Sequence, residues 1–157
     1  MTVEIRAATP ADAAAIAGIE SLAAPHPWSA RAVRDTLEAA TGRGWLLVEG
    51  DRAVGHLISV VVAGEAELWT IAVTPDRRRQ GLARRLLLHA MRAWRAEGAE
   101  AAYLEVRDDN AGAIALYTET GWAATAVRRG YYSDGTDARL MRCELGATDT
   151  GGDLPTP

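Results

Sequence analysis

Between Leu68 and Leu88 a strand-forming run, Thr70-Ile71-Ala72-Val73, breaks at Pro75, passes through Arg77, Arg78, Arg79 and Gly81, and gives way to a helical pattern. The apolar residues Leu82, Leu86, Ala90, Met91 and Trp94 recur at the spacing of one helix face, and Gly98 supplies the stop. Glycine at Gly81 lets backbone approach a ligand closely, the first amides of the helix lack internal partners, and the helix dipole favours negative charge there. The segment predicts an anion cradle that suits a pyrophosphate. It is not a nucleotide-triphosphatase loop, because no Gly-Lys-Ser/Thr follows, and no G-x-G-x-x-G spacing is present. Taken alone, the pattern fits a solvated helix start as well as a phosphate site.

The rest of the chain supplies partners for that unit. Val3 to Ala7 predicts a strand, Thr9-Pro10 and Asp12 open a helix running to about Leu22, and Ser29 caps a second helix from Ala30 to Ala40 that Gly42 and Gly44 end. Trp45–Glu49, Ala53–Ala63 and Glu65–Val73 read as an antiparallel meander turned at Gly50-Asp51 and Gly64. A strand from Ala101 to Arg107 and a helix opened by Asp108-Asp109-Asn110 and closed by Gly121 follow. Strands near Trp122–Tyr132 and Asp137–Leu145 finish the sequence. The fold class is α/β, a mixed and mostly antiparallel sheet flanked by helices, with one domain over residues 1–145 and a polar, breaker-rich tail over 146–157 predicted to be disordered.

Composition narrows the function. No apolar stretch approaches the ~20 residues of a membrane span, and the amino terminus lacks a basic segment followed by an apolar one, so the cytoplasm is expected. The net charge of −4 opposes a broad polyanion-binding surface, although all 17 basic residues are arginine and five crowd between Arg77 and Arg85. Coding bias explains an absence of lysine as well as selection does. The single cysteine, Cys143, excludes an internal disulfide and reads as a small apolar strand residue. His26, His56 and His89 fall in three different elements, which suggests neither a metal site nor a catalytic dyad; they read as structural or exposed.

In this context Arg78-Arg79-Gln80-Gly81-Leu82-Ala83 resembles the Arg/Gln-x-x-Gly-x-Gly/Ala cofactor motif of the GCN5-related N-acetyltransferase (GNAT) superfamily. Leu104-Glu105-Val106-Arg107, the run from Asn110 to Trp122, His26-Pro27-Trp28-Ser29 and Arg128-Arg129-Gly130-Tyr131-Tyr132 are similar to segments of its ribosomal-protein-alanine branch, the RimI type. The resemblance covers about Arg6 to Leu145. It departs at Ala83, where the last glycine is commoner, at Trp122, where phenylalanine is usual, and at Gly130, which interrupts the arginine-tyrosine segment.

The resemblance implies an acetyl-CoA-dependent N-acetyltransferase acting on a protein amino terminus, that of alanine on a small-subunit ribosomal protein, with no metal. By it, the backbone of Ile71, Ala72 and Val73 would bond the pantetheine arm and acetyl group, and Arg79, Gln80, Gly81, Leu82, Ala83 and Arg84 would wrap the pyrophosphate. Asn110 would contact the middle of the cofactor, Glu105 and Tyr117 would be proton acceptor and donor, and Trp28, Tyr131 and Tyr132 would line the acceptor entrance. Spacing agrees in part: Asn110 and Tyr117 lie two helical turns apart and face one groove, and strand alternation sets Glu105 opposite apolar Leu104 and Val106. Other protein amino termini, a small amine, a non-catalytic acetyl-CoA-binding module and nucleic-acid binding through the arginine cluster are the competing readings. Plainer roles also exist, with Glu105 as a strand carboxylate paired to Arg107 or Arg128, and Tyr117 as a packed helix residue.

Overall fold

The computed structural model describes residues 2–146, so the tail expected over 146–157 lies, apart from Gly146, outside the described residues. Seven strands form one sheet, β1 (Val3–Ala7), β2 (Gly42–Glu49), β3 (Arg52–Val62), β4 (Glu65–Val73), β5 (Ala101–Arg107), β6 (Ala123–Arg128) and β7 (Ala138–Glu144), in the order β1-β2-β3-β4-β5-β7-β6. The helices are α1 (Ala13–Ala23), α2 (Ala30–Glu38), α3 (Leu82–Ala96) and α4 (Ala111–Glu119). Every strand pair is antiparallel except β4 and β5, which α3 joins as a crossover.

Alternation along the central strands divides the core. Trp45, Leu47 and Leu57 face α3 and α4, where Leu86, Leu87, Met91, Trp94, Leu104, Val106, Tyr117 and Trp122 complete the larger cluster. Leu46 and Ile58 point the other way, onto Ala13 and Ile16 of α1 and Val33 of α2. Trp94 is fully buried, and its indole N–H donates to Ser59 Oγ at 3.0 Å. The sheet is thus a wall with a different helical layer on each side.

Several ends depart from the periodic pattern for local reasons. α1 is preceded by a 3-10 turn over Pro10–Asp12, where the Asp12 carboxylate accepts the Thr9 N–H at 2.7 Å. α2 has its predicted cap, Ser29 Oγ accepting the Ala32 N–H at 3.1 Å, a bond worth about 1 kcal/mol. The helix stops at Glu38, and Gly42 and Gly44 belong to β2 rather than to a helix terminator. A Cβ at Gly42 would stand 1.8 Å from the Thr36 carbonyl oxygen, so close approach of α2 to β2 is what requires glycine. α3 begins at Leu82, three residues later than its amphipathic pattern predicts, because Arg79 (φ 63°) and Gly81 (φ 72°) are left-handed. β6 ends at Arg128, and the arginine-tyrosine segment turns out of the sheet at Gly130, whose N–H donates to Asp137 Oδ1 at 2.8 Å.

One irregularity positions the site. β3 and β4 pair Ile58 with Thr70 but Ser59 with Leu68, leaving Trp69 as an extra residue in a bulge. β4 bends there and parts from β5, to which it pairs only through Glu65, Ala66 and Glu67. Beyond Glu67 the two parallel strands diverge, and the inner edges of Thr70–Val73 and of Leu104–Arg107 face a gap.

Candidate active site

A groove crosses the α3/α4 side of this gap. Its first part, a cleft of about 510 Å³, is lined by the loop and start of α3 (Arg78, Arg79, Gly81, Leu82, Ala83, Arg84) and by Gly112, Leu116 and Glu119 of α4. Left-handed backbone at Arg79 is unfavourable for a residue with a Cβ, by about 1–2 kcal/mol, and is a local strain held in place by the turn. Gly81 is left-handed too, and α3 starts with no side-chain cap there, so its first amides lack intrahelical partners. Arg77 also lines the cleft, but its guanidinium is paired to Glu49 and, at 3.5 Å, to Asp76. Arg52 stands 2.8 Å from Asp76 and holds that carboxyl well below the usual range. The positive charge at the cleft therefore comes from Arg78, Arg79 and Arg84, the last 3.5 Å from Glu119. Gln80 does not line the cleft, whereas Arg78 does although only its neighbours were expected to.

The groove continues, about 430 Å³, between Ile71 and Val73 of β4 and Asn110, Gly112, Ala113, Leu116 and Tyr117 of α4. Asn110 and Tyr117 share it as their spacing requires. Asn110 also caps α4, Oδ1 accepting the Ala113 N–H at 3.1 Å, which leaves its amide NH₂ for a ligand. Tyr117 is buried against Trp122, ring centroids 5.8 Å apart, and burial pushes its phenol up to about 12. It is protonated at every physiological pH. The charged, amide-rich end followed by an apolar channel beside an unpaired strand edge fits a phosphate-bearing, linear acyl carrier such as acetyl-CoA. No metal-like group of three or more His, Cys, Asp or Glu exists among the described residues.

Glu105 lies on the opposite face of the sheet. With Trp28, Glu67, Leu68, Trp69 and Tyr131 it lines a separate open cleft of about 310 Å³. Arg128 Nη2 is 3.8 Å from its carboxylate, a loose and half-exposed pair, while Arg107 turns to Asp109 at 3.3 Å and Asp134 at 2.5 Å. Trp28 and Trp69 meet at 5.3 Å between ring centroids, and the Trp69 indole N–H donates to Glu67 at 2.8 Å. Tyr131 lines this cleft; Tyr132 does not, resting instead edge-on against Tyr131 at 5.2 Å and beneath the Arg107 guanidinium at 4.7 Å. The bulge at Trp69 and the carboxylate of Glu67 were missed in the sequence, since both sit inside a regular-looking strand. His26 lines a polar pocket with Arg107, Asp109, Asn110 and Asp134, His89 lies edge-on to Trp45 at 5.9 Å, and Cys143 is buried in β7 with its thiol pushed up to about 11 by burial.

A third group had no sequence signal beyond a carboxylate on an apolar helix stripe. Glu20 and His56 are both buried, 2.8 Å apart between Oε2 and Nε2, though the ring N–H is not aimed for a straight hydrogen bond. Glu20 Oε2 accepts the Thr70 hydroxyl at 2.8 Å, and Oε1 accepts the Trp28 N–H at 3.1 Å. Burial raises this carboxyl, but the contacts to His56, Trp28 and Thr70 outweigh it and hold Glu20 below its ordinary value.

A model of the Acetyltransferase (GNAT) family matches residues 13–122. The chain belongs to this family. The acetyltransferase is 40% identical over 124 residues to the "[Ribosomal protein bS18]-alanine N-acetyltransferase" of Escherichia coli strain K12, a match spanning 77% of this chain and 80% of the relative. The crystal structure of the ribosomal-protein-S18-alanine N-acetyltransferase from Escherichia coli superposes with a TM-score of 0.88 at 34% identity, covering 99% of this chain and all of that one. A chain of the NatC complex bound to Gag peptide and CoA shares the fold, with a TM-score of 0.83 at 18% identity over 92% of this chain and 99% of its own. The acetyltransferase is an acetyl-CoA-dependent N-acetyltransferase with a mixed α/β GNAT fold. No helix among its described residues is long and apolar enough to cross a membrane.

Proposed function

We propose that the chain acetylates the amino-terminal alanine of a small-subunit ribosomal protein, in the cytoplasm, by direct transfer within a ternary complex. The observation that carries this reading is the parting of β4 from β5, with an anionic-ligand groove on one face and an aromatic, acidic cleft on the other. Similarity to the Escherichia coli enzyme supports the acceptor. Two substrates that enter from opposite faces meet in the gap without an enzyme-bound acetyl intermediate, and buried Cys143 is poorly suited to form one.

Acyl transfer to an amine requires a neutral nucleophile, a stabilised oxyanion and a proton for the departing thiolate. An α-amino group titrates near ~8 and a lysine near ~10.4, so the terminal amine is easier to deprotonate by about 2.4 units, or ~3 kcal/mol. Glu105 lies on the acceptor side and takes that proton through a relaying water. The Val73 amide polarises the thioester carbonyl. Tyr117, neutral and on the groove side, donates to the thiolate. Ile71, Ala72 and Val73 bond the pantetheine arm through their backbone, Arg78, Arg79, Gly81, Leu82, Ala83 and Arg84, which line the first cleft, hold the diphosphate, and Asn110 contacts the arm. Trp28 and Tyr131, which wall the acceptor cleft, guide the peptide, with Tyr132 packed against Tyr131.

An acetyl-transfer assay on peptides beginning with alanine, serine or methionine, each also with a blocked terminus and an internal lysine, tests the acceptor. Alanine-terminated peptides should be modified fastest and blocking should abolish the signal. Strong labelling of the blocked lysine peptide would overturn the assignment.

A further inference from the structure

The buried Glu20 carboxylate has no place in the proton transfers, yet it touches three elements that meet beside the acceptor cleft. It projects from α1, four residues after Ile16 and thus on the same inward stripe, where an apolar side chain would satisfy the core. A buried carboxylate without an arginine or lysine partner is rarely the most stable choice at such a position, and well-packed apolar replacements are often neutral or stabilising. What Glu20 gains is connection. One oxygen accepts the Trp28 N–H, fixing the loop between α1 and α2; the other accepts the Thr70 hydroxyl, next to the bulge at Trp69, and lies against His56 of β3. His56 pairs in register with Ala72, so the same carboxylate is tied to the strand whose far edge lines the groove. Of the two indoles that wall the acceptor cleft, Trp28 is thereby held directly and Trp69 through the neighbouring Thr70.

We propose that Glu20 is the positioning residue of the acceptor site, a clamp that sets Trp28 against Trp69 and so shapes the wall on which the acceptor peptide lies. This rests on the reading of that cleft as the acceptor site. The clamp acts on peptide binding and leaves the diphosphate cradle, built from the start of α3, untouched.

The test is steady-state kinetics with an alanine-terminated peptide, alongside acetyl-CoA titration and thermal melting, for Glu20→Gln, Glu20→Met, Thr70→Val and Trp28→Ala. Glutamine keeps one acceptor oxygen and methionine none. The peptide KM should therefore rise about threefold for Glu20→Gln and about tenfold for Glu20→Met, the range spanned by the net contribution of an ordinary hydrogen bond. Thr70→Val should fall near Glu20→Gln, with kcat within threefold and acetyl-CoA Kd unchanged throughout. Should Glu20→Met fail to fold, Glu20→Gln and Thr70→Val carry the test. Trp28→Ala must raise the peptide KM; if it does not, both the acceptor reading and the clamp fall. If Trp28→Ala raises KM while folded Glu20 and Thr70 variants keep the wild-type value, the clamp alone is overturned. Equal losses of peptide and acetyl-CoA affinity that follow the melting temperature would overturn it too, marking Glu20 as merely structural.

Discussion

Replacing Gly81 by alanine separates backbone strain from loss of the ligand cradle. Gly81 sits at φ 72°, so an alanine there carries the left-handed penalty of about 1 kcal/mol, and no atom lies within 4 Å of the added Cβ. Steric clash within the protein is absent, so stability should fall only by that strain, about 2–4 °C in Tm for a chain of this size. Gly64 provides a matched control: φ is 81°, nothing lies within 4 Å of its Cβ, and it sits in the β3–β4 turn, at the other end of β4 from Val73. Both variants should melt alike. Gly81, however, lines the cleft read as the diphosphate site, and loss of one or two charge-assisted hydrogen bonds there weakens binding by about 2–3 kcal/mol, roughly thirty- to a hundred-and-fiftyfold. Isothermal titration with acetyl-CoA reads the difference. Gly64→Ala should bind as wild type, whereas equal affinity of the two variants would refute the cradle.

Further expectations concern the chemistry and the scaffold. Tyr117→Phe should lower the single-turnover rate by about a hundredfold, the usual scale of a general acid, while peptide and acetyl-CoA affinities hold; an unchanged rate would remove Tyr117 from the acid role. Glu105→Gln should slow turnover most below the amine's own pKa, and a pH–rate profile parallel to wild type at full height would exclude Glu105 as base. Ser29→Ala should cost about 1 kcal/mol through the lost cap of α2, read as a Tm drop of about 2–4 °C. Asp12, held below its ordinary value chiefly by the Arg6 guanidinium, contributes stability that is complete above about pH 4 and is lost as pH falls through its depressed pKa. Asp12→Asn should therefore flatten the acid limb of a stability–pH curve, and an unaltered limb would contradict that linkage.

The elements were legible where local rules act alone. β4 and β5 have the boundaries that alternation predicts, and Ser29 caps the helix its hydroxyl announces. The start of α3 was not, because apolar periodicity runs back to Arg79 whereas left-handed backbone at Arg79 and Gly81 forbids helix before Leu82. Gly42 looked like a stop signal, since a sequence does not say whether glycine ends a helix or admits a neighbouring carbonyl. Gly81, Asn110 and Tyr117 were singled out by resemblance to family motifs, with the arginine-glycine loop around Gly81 and the two-turn spacing of Asn110 and Tyr117 as the independent local signals, and they line one continuous groove. Trp69 and the trio of Glu20, His56 and Thr70 were missed because a bulge and a clamp across up to 50 residues of sequence exist only once the sheet is assembled. Alternation along β5 already set Glu105 apart from the apolar face, but the parting of β4 from β5 through which the two faces communicate is encoded by no period in either strand.

That separation is tested most directly by a conjugate in which coenzyme A is joined through its sulfur, by an acetyl bridge, to the α-amine of an alanine-terminated peptide. Such a molecule spans both clefts only if they communicate through the gap between β4 and β5. It should then bind at least a hundredfold more tightly than coenzyme A, and either Gly81→Ala or Trp28→Ala should weaken it. Affinity no greater than that of coenzyme A, and indifference to Trp28→Ala, would contradict the account.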